Sequence, residues 1–310
     1  MHIVIAGGSG FLGSSLSERF AEEGHDVRVL SRSLPAGVSR HDAGTGMPGV
    51  TRMGWEPDGR VGPWVQALAG ANAVINLAGA SIVGTRWTPQ RKAEIRDSRL
   101  YATRSLVAAI DEARPAPRLF ISSSGTDYYG ARGAEPLTEA SPAGTDFLAT
   151  LCQDWEAEAR KVSARDVRLA IVRTGVVLDR GGGAFARMLT PFRWGAGGPL
   201  GSGMQYMPWI HRLDWIEIVR WIVQTPEASG AINLTAPHPV TSRAFARALG
   251  RAMRRPAVLR APRVALQIVF GEFADYIVTG QRVIPERVLT LGYHFRYPEL
   301  DMALSDILAA

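Results

Sequence analysis

Short apolar runs alternate with amphipathic segments of helical length through the first half of the chain. His2–Ala6 is apolar and β-branched, and after a glycine-rich turn Leu12, Leu16 and Phe20 recur at four-residue spacing. This order predicts a strand, a turn and a helix. Further predicted strands lie at 27–30, 51–55, 73–77, 118–122 and 167–173, with helices at 88–113 and from 147. Such alternation indicates an α/β fold with a doubly wound parallel sheet.

The turn after the first strand has a specific glycine spacing. Lacking a Cβ, Gly7, Gly10 and Gly13 permit a tight turn, the approach of a pyrophosphate to the backbone, and close packing of helix on strand. The N–H groups at the start of the helix would then hold the phosphates. Gly24 is predicted to end this helix as a left-handed cap. Because the glycines stand between a predicted strand and helix, we interpret the segment as a Rossmann-type dinucleotide site.

The end of the second predicted strand bears on which dinucleotide binds. NAD sites usually have Asp or Glu about 20 residues beyond the glycines, where it accepts hydrogen bonds from the ribose 2′-OH. This chain has Ser31 and Arg32 instead. The Arg32 guanidinium suits a 2′-phosphate and Ser31 can donate another hydrogen bond. We therefore predict NADP(H). The alternative is that Arg32 is a solvated loop arginine in a chain with 35 Lys plus Arg.

The second half of the chain loses the alternation of strand and helix near residue 178. Glycine clusters at 181–183 and 195–198 follow, and 33–50 reads as an earlier loop. Asp214 and Glu217 resemble a capping box for a helix, and 231–234 resembles a last strand. We predict an NADP-binding Rossmann domain at 1–178, to which 211–235 returns. Residues 179–210 and 236–310 would form a smaller, mostly helical substrate lobe.

Composition narrows the class of protein. The chain has 310 residues, 46% hydrophobic and 21% charged, which is ordinary for a globular protein. The net charge is +6, but the arginines are scattered, so we expect anionic small-molecule ligands and no nucleic acid. We also expect no membrane span, no signal peptide and no metal site, and the single cysteine, Cys152, cannot form an internal disulfide. These features fit a cytoplasmic protein of unknown oligomeric state.

Motifs along nearly the whole chain match one family. They are Gly7-Gly8-Ser9-Gly10-Phe11-Leu12-Gly13, Ser31-Arg32, Asn76-Leu77-Ala78-Gly79, Arg86-Trp87, Ser98-Arg99, Asp154-Trp155-Glu156, Arg173-Thr174-Gly175-Val176-Val177-Leu178, Met207-Pro208-Trp209-Ile210-His211 and Val283-Ile284-Pro285-Glu286-Arg287. The chain resembles the extended short-chain dehydrogenase/reductases, the NAD(P)-dependent epimerase/dehydratase group. The branch it most resembles is the YfcH-like, SulA-annotated epimerases.

The resemblance implies a set of cofactor contacts. Beyond the glycine loop, they are Ser31, Arg32, Leu77, Ala78, Glu94, Arg99 and Val177. With the loop residues Gly7, Gly10, Phe11, Leu12 and Gly13, and with Gly79 in the small-residue turn, these form the predicted cofactor site. Arg99 suits a phosphate and Glu94 a hydroxyl. The alternative for both is an exposed helix surface.

The catalytic pattern of the family is incomplete here. Active members pair a serine at the end of a strand with Tyr-x-x-x-Lys on the next helix, where Lys lowers the pKa of Tyr for proton transfer. The only lysines are Lys92 and Lys161, and neither follows a tyrosine at this spacing. Leu148 stands at the tyrosine position and Cys152 at the lysine position. Of the triad, only Ser124 is present.

Other groups are candidates for the chemistry. Asp127, Tyr128 and Tyr129 follow the strand that should face the nicotinamide, and either phenol can act as an acid while Ser124 polarises a carbonyl. The alternative is that the paired tyrosines are packing and rim residues. We therefore predict Ser124, Tyr128 and Tyr129 as candidate catalytic residues.

Arg187, Arg193 and Arg212 are candidates to hold an anionic substrate. His211 beside Asp214 is typical of a general base, although the capping-box interpretation of Asp214 is favoured.

Two functions fit these patterns. The first is an NADP(H)-dependent oxidoreductase or epimerase acting on a small carbonyl or sugar-like substrate. The second is an NADPH-binding regulatory or interaction protein whose chemistry has lapsed, with a link to cell division suggested only by the branch label. A complete cofactor pattern beside a missing Tyr and Lys is compatible with both.

Overall fold

The computed structural model describes residues 1–32, 44–162 and 167–309. Its strands are β1 (His2–Ala6), β2 (Asp26–Ser31), β3 (Gly44–Met47), β4 (Val50–Gly54), β5 (Ala73–Asn76), β6 (Leu119–Gly125), β7 (Pro136–Leu137), β8 (Arg168–Thr174), β9 (Val176–Leu178), β10 (Tyr206–Met207), β11 (Trp209–His211), β12 (Gly230–Leu234), β13 (Val240–Thr241) and β14 (Arg282–Val283). Its α-helices are α1 (Phe11–Glu22), α2 (Pro89–Glu112), α3 (Phe147–Arg160), α4 (Gly183–Arg193), α5 (Arg212–Gln224), α6 (Ser242–Met253), α7 (Arg263–Phe270), α8 (Phe273–Val278), α9 (Glu286–Thr290) and α10 (Leu300–Ala309). Short 3₁₀ helices span Pro63–Leu68 and Thr126–Tyr129.

The central sheet has the doubly wound order that the sequence predicts. Its strands run β12-β8-β6-β5-β1-β2-β4-β3, and every neighbouring pair is parallel except β3 with β4. The chain builds outward from β1 in one direction and then returns to add β5 on its other side. Ligands bind at such a reversal point, beyond the carboxyl ends of the strands. The ends of β1, β2, β5 and β6 therefore frame the candidate site.

Alternate residues of β1 belong to two different cores. Ile3 and Ile5 pack with Leu16 and Phe20 of α1 on one face. Val4 and Ala6 join a cluster on the other face, which includes residues of α2. All of these side chains are fully buried. A parallel sheet covered on both faces explains why its strands are continuously apolar in sequence.

Local signals place the helix ends close to the predicted ones. The hydroxyl of Thr88 accepts a hydrogen bond from the N–H of Arg91 at 3.1 Å, and Pro89 is the first residue of α2. Asp146 caps α3 in the same way, accepting from the N–H of Ala149 at 3.0 Å. Both caps satisfy N–H groups that the helix itself leaves without a partner. Gly24, with φ of +77°, follows α1 as the predicted left-handed residue.

Two local predictions are wrong. The interpretation of 33–50 as a loop fails in part, since 44–47 form β3, antiparallel to β4, while 33–43 lie outside the described residues. The capping box also fails, because the N-cap of α5 is His211. Asp214 lies in the first turn and is buried, and its carboxylate accepts the backbone N–H groups of Arg296 and Tyr297 at 2.8 and 2.9 Å. This contact joins segments far apart in sequence, so no local pattern predicts it.

The C-terminal part has a core of its own. Leu178, Phe185, Trp209, Phe245 and Leu304 belong to a cluster formed by β9, α4, β11, α6 and α10. β12, by contrast, pairs with β8 in the main sheet, as expected for the returning segment. No helix among the described residues has the length and apolarity to cross a membrane. The division into two domains stays a prediction.

Candidate cofactor and active site

The glycine loop is packed so tightly that side chains are excluded. A Cβ on Gly7, whose φ is +79°, would lie 2.8 Å from the carbonyl carbon of Leu77. A Cβ on Gly13 would lie 2.3 Å from the carbonyl oxygen of Gly7, whereas the position at Gly10 is more open, at 3.2 Å from the same atom. Among the described residues, no side chain caps the start of α1. Its first N–H groups are therefore directed at the space beyond β1, where an anion is favoured.

The end of β2 lies beside the glycine loop. The Ser31 side chain is buried, and its Oγ lies 3.3 Å from Oγ of Ser9 in that loop. Arg32 follows β2 and is exposed. This arrangement puts two hydroxyls and a guanidinium at the end of the strand where a carboxylate would select NAD. The residues present fit a phosphorylated ribose.

The end of β5 is held by side chains behind it. The side chain of Asn76 donates to Oγ1 of Thr103 at 2.9 Å and accepts the N–H of Ala78 at 3.1 Å. Arg99 is buried, and its Nη1 donates to the carbonyl oxygens of Ala80 and Ile95, both at 2.9 Å. Burial lowers the pKa of Arg99 to about 10. Arg99 thus ties the turn at Gly79 to α2 by hydrogen bonds.

The remaining predicted cofactor residues differ in position. Glu94 is exposed and pairs with Arg91 at 2.6 Å, so the helix-surface alternative describes Glu94 but not Arg99. Val177 is buried in β9, which pairs with β11. The half-buried ring of Phe11 packs against Gly182, where a Cβ would lie only 2.4 Å from Cδ2 of that ring.

A buried ion pair lies behind the carboxyl end of β6. Glu156 of α3 accepts two hydrogen bonds from the guanidinium of Arg173, at 2.8 and 2.9 Å, and both side chains are buried. The Ser124 hydroxyl donates to Glu156 at 2.8 Å and is 5% exposed. The Ser124 proton is therefore donated to Glu156. The sequence instead predicts that Ser124 directs it at a substrate carbonyl.

The two tyrosines occupy different environments. Tyr129 is fully buried; its hydroxyl donates to Asn233 at 2.7 Å and accepts from Arg173 at 3.0 Å. Burial raises the pKa of Tyr129 to about 12. These are the contacts of a packing residue, so we do not assign Tyr129 to the reaction. Tyr128 is half-buried, and the Cζ atom of Arg173 lies 3.4 Å from its ring centroid.

The positions aligned with Tyr and Lys are buried. Leu148 is 2% exposed and belongs to a cluster with Trp87, while Cys152 is 5% exposed. Burial, together with the charge of Asp127, raises the pKa of Cys152 to about 12. Cys152 is therefore a neutral thiol and an inert one.

Asp127, at the end of β6, has a pKa raised into the range near neutrality. It is half-buried, and burial together with the negative charge of Asp146 raises its pKa to about 6. Tyr276 of α8 interacts electrostatically with it; burial, joined by the charges of Asp146 and Asp127, raises the pKa of Tyr276 to about 12. The sequence places Asp127 beside the candidate tyrosines but assigns it no role of its own. Tyr276 is not predicted, because a tyrosine more than a hundred residues away on a short helix gives no local signal.

His211 does not have the position of a general base. Its Nδ1 accepts the N–H of Leu213 at 3.1 Å, its ring stacks on Tyr297 at 3.9 Å, and its Nε2 lies 3.2 Å from Asp306. Burial lowers the pKa of His211 to about 4. His211 thus caps α5, and Asp214 does not contact it in the way a catalytic pair requires.

The three candidate arginines also differ. Arg212 pairs with Asp179 at 2.7 Å and donates to Ser15 at 2.8 Å, so its charge is already neutralised. Arg193 is exposed at the end of α4. Arg187 is exposed and packs against Gly84 in the loop before α2. Of the three, Arg187 lies against the loop that follows β5.

Comparisons with known proteins identify the family. The sequence profile of the NAD dependent epimerase/dehydratase family matches residues 3–235, and that of a domain of unknown function, DUF1731, matches residues 261–307. The mouse epimerase family protein SDR39U1 is 38% identical over 313 residues, covering 100% of both chains.

Two solved structures are similar along this chain. The crystal structure of human epimerase family protein SDR39U1 (isoform 2) with NADPH has a TM-score of 0.89 and 36% identity, and covers 100% of this chain and 99% of that one. The nucleoside-diphosphate sugar epimerase from Corynebacterium glutamicum has a TM-score of 0.77 and 30% identity, and covers 99% of this chain and 57% of that one. The glycine loop at residues 7–13, which together with the ends of β2 and β5 is called the cradle below, agrees with the sheet order and with these matches. The chain belongs to the NAD dependent epimerase/dehydratase family of extended short-chain dehydrogenase/reductases.

Proposed function

We propose that the protein is an NADP(H)-dependent oxidoreductase or epimerase that acts on a small carbonyl or sugar-like substrate. The observation that carries the proposal is the cradle at the ends of β1, β2 and β5. There Gly7 and Gly13 exclude side chains, and Ser31 and Arg32 stand in place of an acid. The NADPH-bound human SDR39U1, similar over the whole chain, supports the same choice of cofactor.

The chain's own residues would bind and orient the cofactor. The first N–H groups of α1 would hold the pyrophosphate, and Arg32 with Ser31 the 2′-phosphate. Arg99, by fixing Ala80, would keep the β5 turn in the shape that lets the cofactor pass close to Gly79. Bound NADPH supplies a hydride to a carbonyl carbon, and NADP⁺ accepts one from an alcohol.

The substrate class rests on charge and on a relative. Arg187 presents a guanidinium near the loop after β5, which suits an anionic substrate. The Corynebacterium glutamicum relative is a nucleoside-diphosphate sugar epimerase, which supports a sugar-like one. The finer resemblance to the YfcH-like branch supports the epimerase half of the proposal.

A second function is favoured by one observation. Leu148 and Cys152 are buried where the family has its Tyr and Lys, so the ordinary tyrosinate route is absent. A protein that binds NADPH without turning over substrate, as a regulator, would tolerate this replacement.

One experiment separates the two functions. Purified protein is mixed with NADPH and, separately, an α-diketone, an ortho-quinone, an aromatic aldehyde and a nucleoside-diphosphate 4-keto sugar, and the nicotinamide absorbance is followed. The proposal expects oxidation of NADPH with at least one of them. Tight NADPH binding with no turnover of any carbonyl would contradict the enzyme and favour the regulator.

A further inference from the structure

Asp127 is a carboxylate outside the buried ion-pair network beside it. It lies in the 3₁₀ helix Thr126–Tyr129, directly after β6, and it is half-buried. Glu156 carries the charge that neutralises Arg173. In the described part of the chain, no lysine or arginine forms an ion pair with Asp127. Among the described residues, its carboxylate accepts its own backbone N–H and interacts electrostatically with Arg99, but it has no ion-pair partner, which is uncommon for a half-buried carboxylate.

The carboxylate lies beside the helix position from which the family's lysine acts. A Cβ built on Gly125 would lie 3.2 Å from Oδ2 of Asp127 and 3.8 Å from Sγ of Cys152. Both atoms therefore lie on the same side of the β6 end. Arg99, which supports the neighbouring β5 turn, interacts electrostatically with both groups. Asp127 is thus close to Cys152 of α3 and within electrostatic range of Arg99, which supports the cofactor turn.

We propose that Asp127 exchanges the proton with the substrate oxygen, in place of the tyrosine that this chain lacks. The inference rests on the proposed function. In reduction, the carbonyl carbon receives the hydride, the C=O π bond breaks, and the carbonyl oxygen takes the proton from the Asp127 carboxyl. The products are an alcohol, NADP⁺ and the Asp127 carboxylate, which regains a proton from solvent. In oxidation the carboxylate accepts the hydroxyl proton as the carbon loses its hydride to NADP⁺.

The groups around Asp127 set its titration. Asp146, the N-cap of α3, adds negative charge, and Arg99 of α2 opposes it. Cys152 of α3 and Tyr276 of α8 are neutral, because burial raises the pKa of each to about 12. From β8, Arg173 faces the neighbouring tyrosine rings and is neutralised by Glu156. Burial and Asp146 together hold the pKa of Asp127 at about 6.

This pKa suits reversible proton transfer. An acid or base works best when its pKa is near the operating pH, since both forms are then populated. Tyr129, with its pKa raised to about 12, is a poor base at neutral pH. An epimerase needs a base in one half-reaction and an acid in the other. A carboxyl that titrates near neutrality serves both.

The first test measures the titration itself. Protein labelled with ¹³C at the aspartate carboxyls is titrated by NMR with and without NADPH, and the resonance absent from Asp127→Asn is assigned to Asp127. We expect a midpoint of about 6. Asp146→Asn, which keeps the helix cap but removes the charge, should lower this midpoint by about half a pH unit. A midpoint near the ordinary value of about 4 in the wild type would overturn the proposal.

The second test measures the reaction. With a carbonyl that the wild type reduces, kcat/KM should fall about tenfold per pH unit above the Asp127 midpoint, since the protonated form is needed. Asp127→Asn should lower kcat/KM by about 10²–10⁴-fold and remove this pH dependence, with NADPH affinity preserved. Asp154→Asn, an exposed carboxylate on α3 paired with Arg96, is the matched control and should behave as wild type.

The possible outcomes separate the role of Asp127 in proton transfer from the proposed NADP(H)-dependent activity on which it rests. Wild-type turnover that Asp127→Asn retains, with the same pH profile, overturns only the role of Asp127. Wild-type protein that binds NADPH and reduces no carbonyl overturns the proposed function and the inference with it. A shift to lower pH of both the NMR midpoint and the pH profile in Asp146→Asn supports the role of Asp127 independently of the Asp127→Asn variant.

Discussion

The β1–β2–β5 side of the site and the β6–α3 side are built on different principles. On the first side, the binding surface is mostly backbone, and glycines at positions 7 and 13 are required because a Cβ would meet backbone atoms. On the second side, the buried side chains of Leu148 and Cys152 occupy the positions of the family's proton-transfer pair. Leu148 is packed with Trp87, and Glu156 is paired with Arg173.

The difference shows which features of the family this chain keeps. Cofactor recognition depends on backbone shape, which the glycine pattern specifies directly. Proton transfer depends on one or two side chains, which can be exchanged while the fold persists. The buried pair of Glu156 and Arg173 stabilises the second side only as a complete unit, since removing one partner leaves an uncompensated buried charge.

The largest effect on stability is expected from the second side. Glu156→Gln should lower the free energy of unfolding by about 3–5 kcal/mol, because it leaves the Arg173 guanidinium buried without a counter-charge. Urea unfolding at neutral pH measures this. Asp154→Asn on the same helix is the control; its exposed pair with Arg96 should contribute less than about 1 kcal/mol. NADPH affinity of folded Glu156→Gln should match the wild type, since the cofactor cradle is separate. A decrease in the free energy of unfolding of less than about 1 kcal/mol would show that the ion pair does not stabilise the β6–α3 side.

A smaller loss of stability with a large loss of binding is expected from the first side. Gly13→Ala forces a methyl group to 2.3 Å from the carbonyl oxygen of Gly7. Gly13→Ala should lower the free energy of unfolding by about 1–3 kcal/mol. It should also weaken NADPH binding by roughly 100-fold or more, because the loop moves away from the phosphates. Gly24→Ala is the control, since nothing lies within 4 Å of its Cβ position. Gly24→Ala should lower the free energy of unfolding by about 1 kcal/mol, because alanine is disfavoured in the left-handed conformation, and it should keep the wild-type NADPH affinity. Equal NADPH affinity of the two variants would contradict the assignment of the glycine loop to cofactor binding.

The sequence predicts the sheet and the first side of the site well because their signals are local. An apolar run marks each central strand, and Thr88 with Pro89 marks the start of α2 within one residue. Edge strand β3 has no apolar run and was missed. The glycines predict the cradle, because a backbone conformation is encoded where it occurs.

The second side is poorly predicted because its chemistry depends on burial and distant contacts. Asp214 lies in a local capping pattern, yet it binds backbone more than 80 residues away. Ser124 and Tyr129 have the residue types of a catalytic pair, yet Glu156 and Asn233 already hold their hydroxyls. The raised pKa of Asp127 arises from burial and from Asp146, neither of which is visible in the residues next to it.

The most direct test of the central claim is the cofactor preference at the end of β2. Wild-type protein and Arg32→Ala are titrated with NADPH and with NADH by calorimetry, with Arg28→Ala, an arginine within the same strand, as the control. We expect the wild type to prefer NADPH, and Arg32→Ala to lose about 1.5–3 kcal/mol, tenfold or more, for NADPH alone. Arg28→Ala should bind both as the wild type does. Equal affinity of the wild type for NADPH and NADH would contradict the account.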